Sequence, residues 1–391
     1  MFAGSGAIGW MSGAREAWTL SRPFWTSQRE RLSLLLLVVV TVLTLATVWL
    51  NVQFSNWNNA FYNALQAHDL GAFWHQLGVF GILAAAFIVA AVYRQYLQQK
   101  LFMRWRMWLT DYLLTQWLRP GTAYRLAAAA TLGIDNPDQR IAEDVRLFVS
   151  ANLTLAFGLL NAVVTLVSFF GILWHLSGSL DVPLGFGTNS AVLSIPGYMV
   201  WAALVYSALG SWLAFKLGRP LVPINVMQQK VEADFRYGLV QVRDHAEAIA
   251  LSSGEPAEQH RLQSAFAAIR ANWDALIGYT KRLTWFSAGY GQLASVFPIV
   301  TAAPRYFSGA LQLGGLMQTA QAFGQVQGAM SWLIDVYPNL ADWRATVQRL
   351  ARYREIMLHD LTRSEDENIE RATSNLPSLA MKDLVVRNID G

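Results

Sequence analysis

Six long stretches of this chain contain no Asp, Glu, Lys or Arg: 32–68, 70–93, 147–180, 182–215, 283–304 and 306–334. About 20 mostly apolar residues suffice for a helix to cross the hydrocarbon core of a bilayer, and each stretch is long enough. One such run fits a core helix buried in a soluble protein; six in succession fit a membrane. The fifth and sixth are the least apolar, carrying many Gly, Ala and Gln residues. Over the 391 residues, 54% are hydrophobic and 14% charged, whereas soluble domains run near a quarter charged. The expected class is therefore an all-α membrane protein with six transmembrane helices.

The cations set the orientation. Four arginines precede the first stretch, and the remaining Lys and Arg residues cluster in 94–146, 216–282 and 344–387. That places 29 of the 30 on one side of a six-span layout and leaves Arg305 on the other. Positive charge is retained in the cytoplasm, so both termini and both long connections are expected there. The first apolar run starts only after Arg31 and is too long for the core of a cleaved signal peptide, which makes it an uncleaved anchor.

The outer connections are modest. Residues 51–71 are rich in Asn and aromatic side chains and could hold a short interfacial helix, since Trp and Tyr favour the headgroup level. The second outer connection holds Asp181, Pro183 and several glycines; the third is a few residues around Pro304 and Arg305. The cytoplasmic connections read as helix. Residues 93–118 contain no Gly or Pro and look like the second span running on into the cytoplasm. Residues 226–252 and 258–282 read the same way, separated by a break at 252–256, Ser-Ser-Gly-Glu-Pro.

Soluble chemistry is sparse. A phosphate-binding loop needs Gly-Lys followed by Ser or Thr, and none of the five lysines follows a glycine. Gly4, Gly6 and Gly9 spell GxGxxG without the flanking strand that motif requires. There is no cysteine, hence no disulfide, thiolate metal site or cysteine nucleophile. The six histidines show no metal-pair spacing on a helix face. No catalytic, cofactor or metal residue is expected in the chain, and no nucleic-acid partner. Polar groups inside spans are the better lead, because they need partners or a water-filled cavity. Gly314, Gln318, Gln321, Gln325 and Gly328 share one face of the sixth span, and Gln292 adds an amide from the fifth. Gln292, Gln318, Gln321 and Gln325 are the candidate pathway-lining residues. The plainer use of such amides is hydrogen bonding between helices.

Four segments resemble a known family. Asn136-Pro137-Asp138-Gln139-Arg140-Ile141 with Glu143-Asp144-Val145 is similar to the NPDQRI-x-ED motif of the membrane domain of peroxisomal-type (subfamily D) ABC transporters and their YddA-type bacterial relatives. Glu232 to Tyr237, then Arg243, Glu247 to Ala250 and Gly254-Glu255, resembles that family's EAA-like segment. Phe323 to Gly328, followed by Trp332, Trp343 and Arg344, resembles its sixth span and exit helix, and the Asn-rich segment with Phe61, Tyr62 and Leu65 also fits. Together they cover about residues 20–391.

The resemblance implies an exporter-type ABC transmembrane domain with long cytoplasmic helical extensions, acting as a half-transporter. Two copies would pair in the lipid of a bacterial inner membrane and move a substrate. The resemblance also implies coupling or transmission roles for Asn136, Asp138, Arg140, Glu232, Arg236, Glu247, Gly254 and Glu255. ATP and Mg would belong to a nucleotide-binding domain outside this chain. The layout implied is a cytoplasmic segment at 1–31, the six-span domain at 32–358, a linker at 359–378 and the first strand of a nucleotide-binding domain at 379–391. Residues 384–389 carry the strand-like pattern, ended by the turn Asp390-Gly391. The chain is thus expected to be a piece of a longer protein, or to work with an ATPase supplied by another chain. A complete proton-driven permease of the SbmA/BacA peptide-uptake type is the competing expectation. Against it, no acidic residue lies inside a span, where a proton relay would often need one.

Overall fold

The computed structural model describes residues 3–119, 122–123, 137–184 and 191–366. The chain forms two compact units: one comprises Phe24–Trp105 and Phe148–Arg344, the other Met1–Pro23, Arg106–Leu147 and Ala345–Gly391.

Long helices dominate the described residues. In chain order they are α1 (Ala3–Thr26), α2 (Arg31–Gln66), α3 (Leu70–Trp117), α4 (Val145–Ser177), α5 (Tyr198–Gly218), α6 (Leu221–Asp244), α7 (Ala246–Ser252), α8 (Glu255–Phe307), α9 (Leu313–Asp335) and α10 (Tyr337–Asp366). Asp69 starts α3 by accepting a hydrogen bond from the Ala72 amide at 2.9 Å, as N-cap carboxylates do. The 48 residues of α3 span roughly 70 Å at 1.5 Å per residue, and the expected continuation of the second stretch beyond Tyr93 is observed. A helical turn (Pro137–Gln139) and a π-helical turn (Arg140–Asp144) lead into α4.

Between α4 and α5 lies a feature that an all-α expectation omits. Strands β1 (Ser179–Leu184) and β2 (Ala191–Pro196) form an antiparallel hairpin. Pro183 and the neighbouring glycines suggested a loop, but both strands of a two-stranded ribbon are edges, where the missing N–H of Pro183 and Pro196 is tolerated. Span four is correspondingly shorter than the charge-free stretch from 182, its helix beginning at Tyr198. Gly197 enters α5 with φ 65°; a Cβ there would collide with the Trp174 ring, so glycine is required on both counts.

Two other expectations are corrected. Residues 51–66 do not form a separate interfacial helix, because α2 runs unbroken through them to Gln66. Pro304 and Arg305 do not form a connection, because α8 continues through Pro298 and Pro304 to Phe307; the turn follows at Ser308–Gln312. The proposed strand at 384–389 lies outside the described residues.

In the larger unit, α4, α5, α8 and α9 share an apolar core. Phe169 and Leu173 meet Met199, Val200 and Ala203, with Ala302, Ala322, Phe323 and Val326 closing the layer. Tyr206 of α5 stacks on Tyr290 of α8 with centroids 4.4 Å apart, and each hydroxyl donates to the other's carbonyl oxygen, at 2.7 and 3.0 Å. Gly210 makes room for that stack, since a Cβ there would strike the Tyr290 ring. Outward faces are also apolar: Ile82, Val167 and Leu293 are 74%, 69% and 66% exposed. Exposed apolar surface of this extent marks a lipid or partner interface. Among the described residues four helical segments are long and apolar enough to cross a membrane: Arg31–Gln66, Leu70–Trp117, Pro137–Ser177 and Tyr198–Asp244. Helices α8 and α9 are also long enough, at 53 and 23 residues, but are not apolar enough to count among these four.

Candidate functional site

The Asn-rich end of α2 lies against the start of α9 and is joined to it by amides. Asn59 Nδ2 donates to Gln318 Oε1 at 2.6 Å, and Gln318 Nε2 donates to Asn56 Oδ1 at 3.1 Å. One turn further along α9, Asn58 Nδ2 donates to Gln321 Oε1 at 3.0 Å. The first amides of α9, which no helix can satisfy internally, are also met by α2. Leu313 N donates to Gln66 Oε1 and Gly314 N to Asn63 Oδ1, both at 2.8 Å. A Cβ on Gly314 would collide with the Asn59 carbonyl oxygen, so glycine permits this approach. Hydrogen bonds of this kind average about 0.6 kcal/mol inside membranes, with a ceiling near 1.7; five in register make a real but yielding attachment.

Of the candidate pathway residues, Gln318 is buried and Gln318 and Gln321 spend their amides on α2. Gln325 lies half-buried one turn beyond, and Gln292 is exposed on α8. The asparagines opposite were legible only as an outer aromatic segment. Their spacing at 56, 59 and 63 places them on one helix face, which was the signal for a partner helix.

The coupling residues occupy two places. Glu247 lies on the exposed short helix α7, and Gly254 and Glu255 form the turn into α8. The expected break takes an unexpected form: Ser253, not Gly254, adopts the left-handed conformation at φ 51°. Gly254 N then donates to Ile249 O at 2.9 Å, closing the helix end in the manner usual for a glycine. Glu232 accepts from Gln228 on exposed α6, where Arg236 is also exposed. Helix α6 is stitched to α8 through Asn272, which donates to Gln228 Oε1 at 2.7 Å and Ile224 O at 3.2 Å. A groove of about 660 Å³ beside α7 is floored by Phe235, Leu262 and Phe266 and edged by Glu255 and Glu258.

The second place belongs to the smaller unit. Asp138 is exposed, Arg140 is half-buried and Asn136 lies outside the described residues. Arg140 Nη1 donates to Asp144 Oδ2 at 2.7 Å. Arg349 of α10 donates to both oxygens of the same carboxylate, Nη2 to Oδ1 at 2.6 Å and Nε to Oδ2 at 2.9 Å, and also to Thr346 Oγ1 at 3.1 Å. Burial alone would raise the pKa of Asp144; the two guanidiniums overcome it and hold the carboxyl below its ordinary value. Arg349 was not singled out by the sequence, since nothing local links position 349 to 144.

Comparison with known proteins agrees with this architecture. Residues 23–307 match the family described as ABC transporter transmembrane region 2. The inner membrane ABC transporter ATP-binding protein YddA of Escherichia coli is 35% identical over 338 residues, covering 86% of this chain and 60% of that protein. ABC transporter D family member 2, chloroplastic, of Arabidopsis thaliana is 31% identical over 356 residues, covering 91% and 48%. The human lysosomal cobalamin transporter ABCD4 is 27% identical over 355 residues, covering 88% and 54%. The chain thus spans roughly half to three-fifths of the length of these relatives. With the family match extending from α1 through α8, the chain belongs to the ABC transporter transmembrane region 2 family.

Proposed function

We propose that this chain is the six-span membrane half of an ATP-driven transporter, with α8 and α9 as its fifth and sixth spans. The basic connections lie in the cytoplasm, a second copy completes the pathway, and ATP with Mg is bound and hydrolysed in a nucleotide-binding domain. The observation carrying this reading is the family match together with relatives named as ATP-binding transporters, of which the chain covers roughly half to three-fifths. Those names favour ATP over a proton gradient as the energy source. The distribution of 29 of 30 cations supports the orientation. Glu247, Gly254 and Glu255 at the α7 turn serve as the contact that passes movement from the ATPase to the spans, joined by Glu232 and Arg236 on α6. Asn136, Asp138 and Arg140 serve the same transmission on the segment leading into α4. Gln292, Gln318, Gln321 and Gln325 border the pathway, and the organism's cytoplasmic membrane is the expected site.

The test is reconstitution of the full-length transporter in proteoliposomes. Uptake or release that requires ATP and persists when the pH gradient is collapsed is the expected result. Flux that follows the pH gradient and ignores ATP would replace this reading with the proton-driven one.

A further inference from the structure

The hairpin between α4 and α5 is two-sided. In an antiparallel ribbon, residues opposite one another stand on the same face and neighbours along a strand alternate. The register pairs Leu180 with Ile195, Val182 with Leu193 and Leu184 with Ala191, so these six apolar residues share one face. The other face carries the pairs Ser179–Pro196, Asp181–Ser194 and Pro183–Val192. At the base of the ribbon the two faces have different surroundings. Ser179, Ser194 and Pro196 are exposed, whereas Ile195 is half-buried against the core that α4 and α5 share. The apolar face is thus the one turned toward the helix ends.

The base is bent and pinned. Gly178 and Gly197 both take left-handed φ, 60° and 65°, and Gly197 N donates to Gly178 O at 2.9 Å. Both strands therefore leave their helices through a bend at the same level, which glycine permits. Arg305 of α8 fixes that level, its Nη1 donating to Leu176 O at 2.6 Å and also to Ser177 O. Met199 N donates to Ser177 Oγ at 2.9 Å and closes the other side.

This level carries the marks of a membrane surface. Trp174 in the last turn of α4 and Trp201 in the first turn of α5 are both exposed, and Trp side chains favour the headgroup region. Deeper along the same two helices, Val167 and Val205 are exposed, on segments long and apolar enough to cross a membrane. The hairpin begins where that apolar outer surface ends. A two-stranded ribbon is marginal in water by itself and needs its apolar face covered. Pro183 and Pro196, one on each strand, discourage a further strand from a second copy, so the adjoining bilayer is the cover that fits.

We propose that the β1–β2 hairpin is a lipid-binding element, lying in the headgroup region of the bilayer on the face that carries Leu180, Val182 and Leu193. In the orientation proposed above this is the outer leaflet; the contact itself requires only that α4 and α5 cross the membrane.

The register supplies neighbouring reporters on opposite faces. The full-length transporter, with any cysteine outside this cysteine-free chain replaced, carries one of Val182→Cys, Leu193→Cys, Asp181→Cys or Ser194→Cys. Each is labelled with bimane in nanodiscs of phosphatidylcholine and phosphatidylglycerol. Fluorescence is quenched by iodide from the water and, separately, by lipid bearing a nitroxide at the top of its acyl chain. The expected result is lipid quenching at least three-fold stronger, and iodide quenching at least three-fold weaker, at 182 and 193 than at 181 and 194. Equal quenching of the two faces by either reagent overturns the proposal. So does an apolar face that neither reagent reaches, the signature of cover by a second copy or by the chain's own helices. Should a label at 182 prevent folding, 193 reports on the same face from the other strand. Nanodiscs leave both sides of the bilayer accessible, so the pattern does not depend on orientation or on flux. Lipid contact in a transporter that ignores ATP contradicts the proposed function alone; ATP-driven transport with equally quenched faces contradicts the hairpin contact alone.

Discussion

Arg349 grips Asp144 by both carboxylate oxygens, at 2.6 and 2.9 Å, while Arg140 holds one of the same oxygens at 2.7 Å. The Asp144 side chain is 4% exposed and that of Arg349 38%, so one partner is buried and the other can still reach water. Breaking a fully buried pair costs about 3–5 kcal/mol, and partial exposure of Arg349 reduces that. Arg349→Met is expected to destabilise the protein by about 1–3 kcal/mol, in line with losing hydrogen bonds to a charged group. Arg349→Lys should recover little, because a lysine cannot form the two-pronged contact. Thermal unfolding in detergent checks both.

The same carboxylate predicts a pH dependence. Its folded pKa lies below the ordinary 3.8 because the two arginines outweigh burial. A group whose pKa is lowered by folding binds its proton more readily when unfolded, so stability rises with pH across that interval. The contribution of Asp144 is complete above about pH 4, the ordinary carboxylate range, and disappears as the pH falls through the folded value. The stability gap between the native protein and Asp144→Asn should therefore be constant from pH 8 to 5 and shrink below pH 4. A gap that widens with acid would contradict the assignment.

Tyr353 gives the opposite kind of prediction. It is 2% exposed, its hydroxyl has no hydrogen-bond partner among the described residues, and burial pushes its pKa up to about 12. An unsatisfied buried hydroxyl costs about 1–3 kcal/mol, so Tyr353→Phe should leave the melting temperature unchanged or raise it. A loss of more than about 1 kcal/mol, the typical net worth of a made hydrogen bond, would mean that the hydroxyl has a partner.

Gly210 faces the Tyr290 ring where a Cβ would overlap it. Gly210→Ala must displace the Tyr206–Tyr290 stack and its two hydrogen bonds. Overpacking of this sort costs about 1–3 kcal/mol. Gly324 has open space at the same point, so Gly324→Ala is the control and should be tolerated. Comparing the yields of folded protein in detergent distinguishes them.

Glu247 is exposed on α7, so reversing its charge should spare folding. In the full-length transporter, Glu247→Lys is expected to reach the membrane at normal levels and hydrolyse ATP while moving little substrate. Normal transport by this variant would remove Glu247 from the coupling contact.

Much of this was legible in the sequence because membranes impose simple rules. Charge-free stretches marked α2 through α5, the Gly- and Pro-free run marked the extension of α3, and Ser-Ser-Gly-Glu-Pro marked the end of α7. Contacts that depend on distant pairings were not legible. Asp144 and Arg349 lie 205 residues apart, and Asn59 and Gln318 lie 259 apart, so no local pattern joins them. The hairpin at 179–196 was hidden because Pro183 and the neighbouring glycines look like loop residues until the ribbon is known to have two edges. The continuity of α8 through Pro304 was equally hidden, since tertiary packing overrode a helix breaker.

Helix α8 decides the number of crossings, because it is 53 residues long and too polar to be recognised as a span by hydropathy. Its two ends provide the measurement. In this cysteine-free chain, Ser253→Cys just before α8 and Ser308→Cys just after it are labelled separately with a membrane-impermeant maleimide in intact cells and in inverted vesicles. Six spans with a cytoplasmic basic side predict that Ser308→Cys reacts only in intact cells and Ser253→Cys only in inverted vesicles. Labelling of both positions from the same face would contradict the six-span architecture.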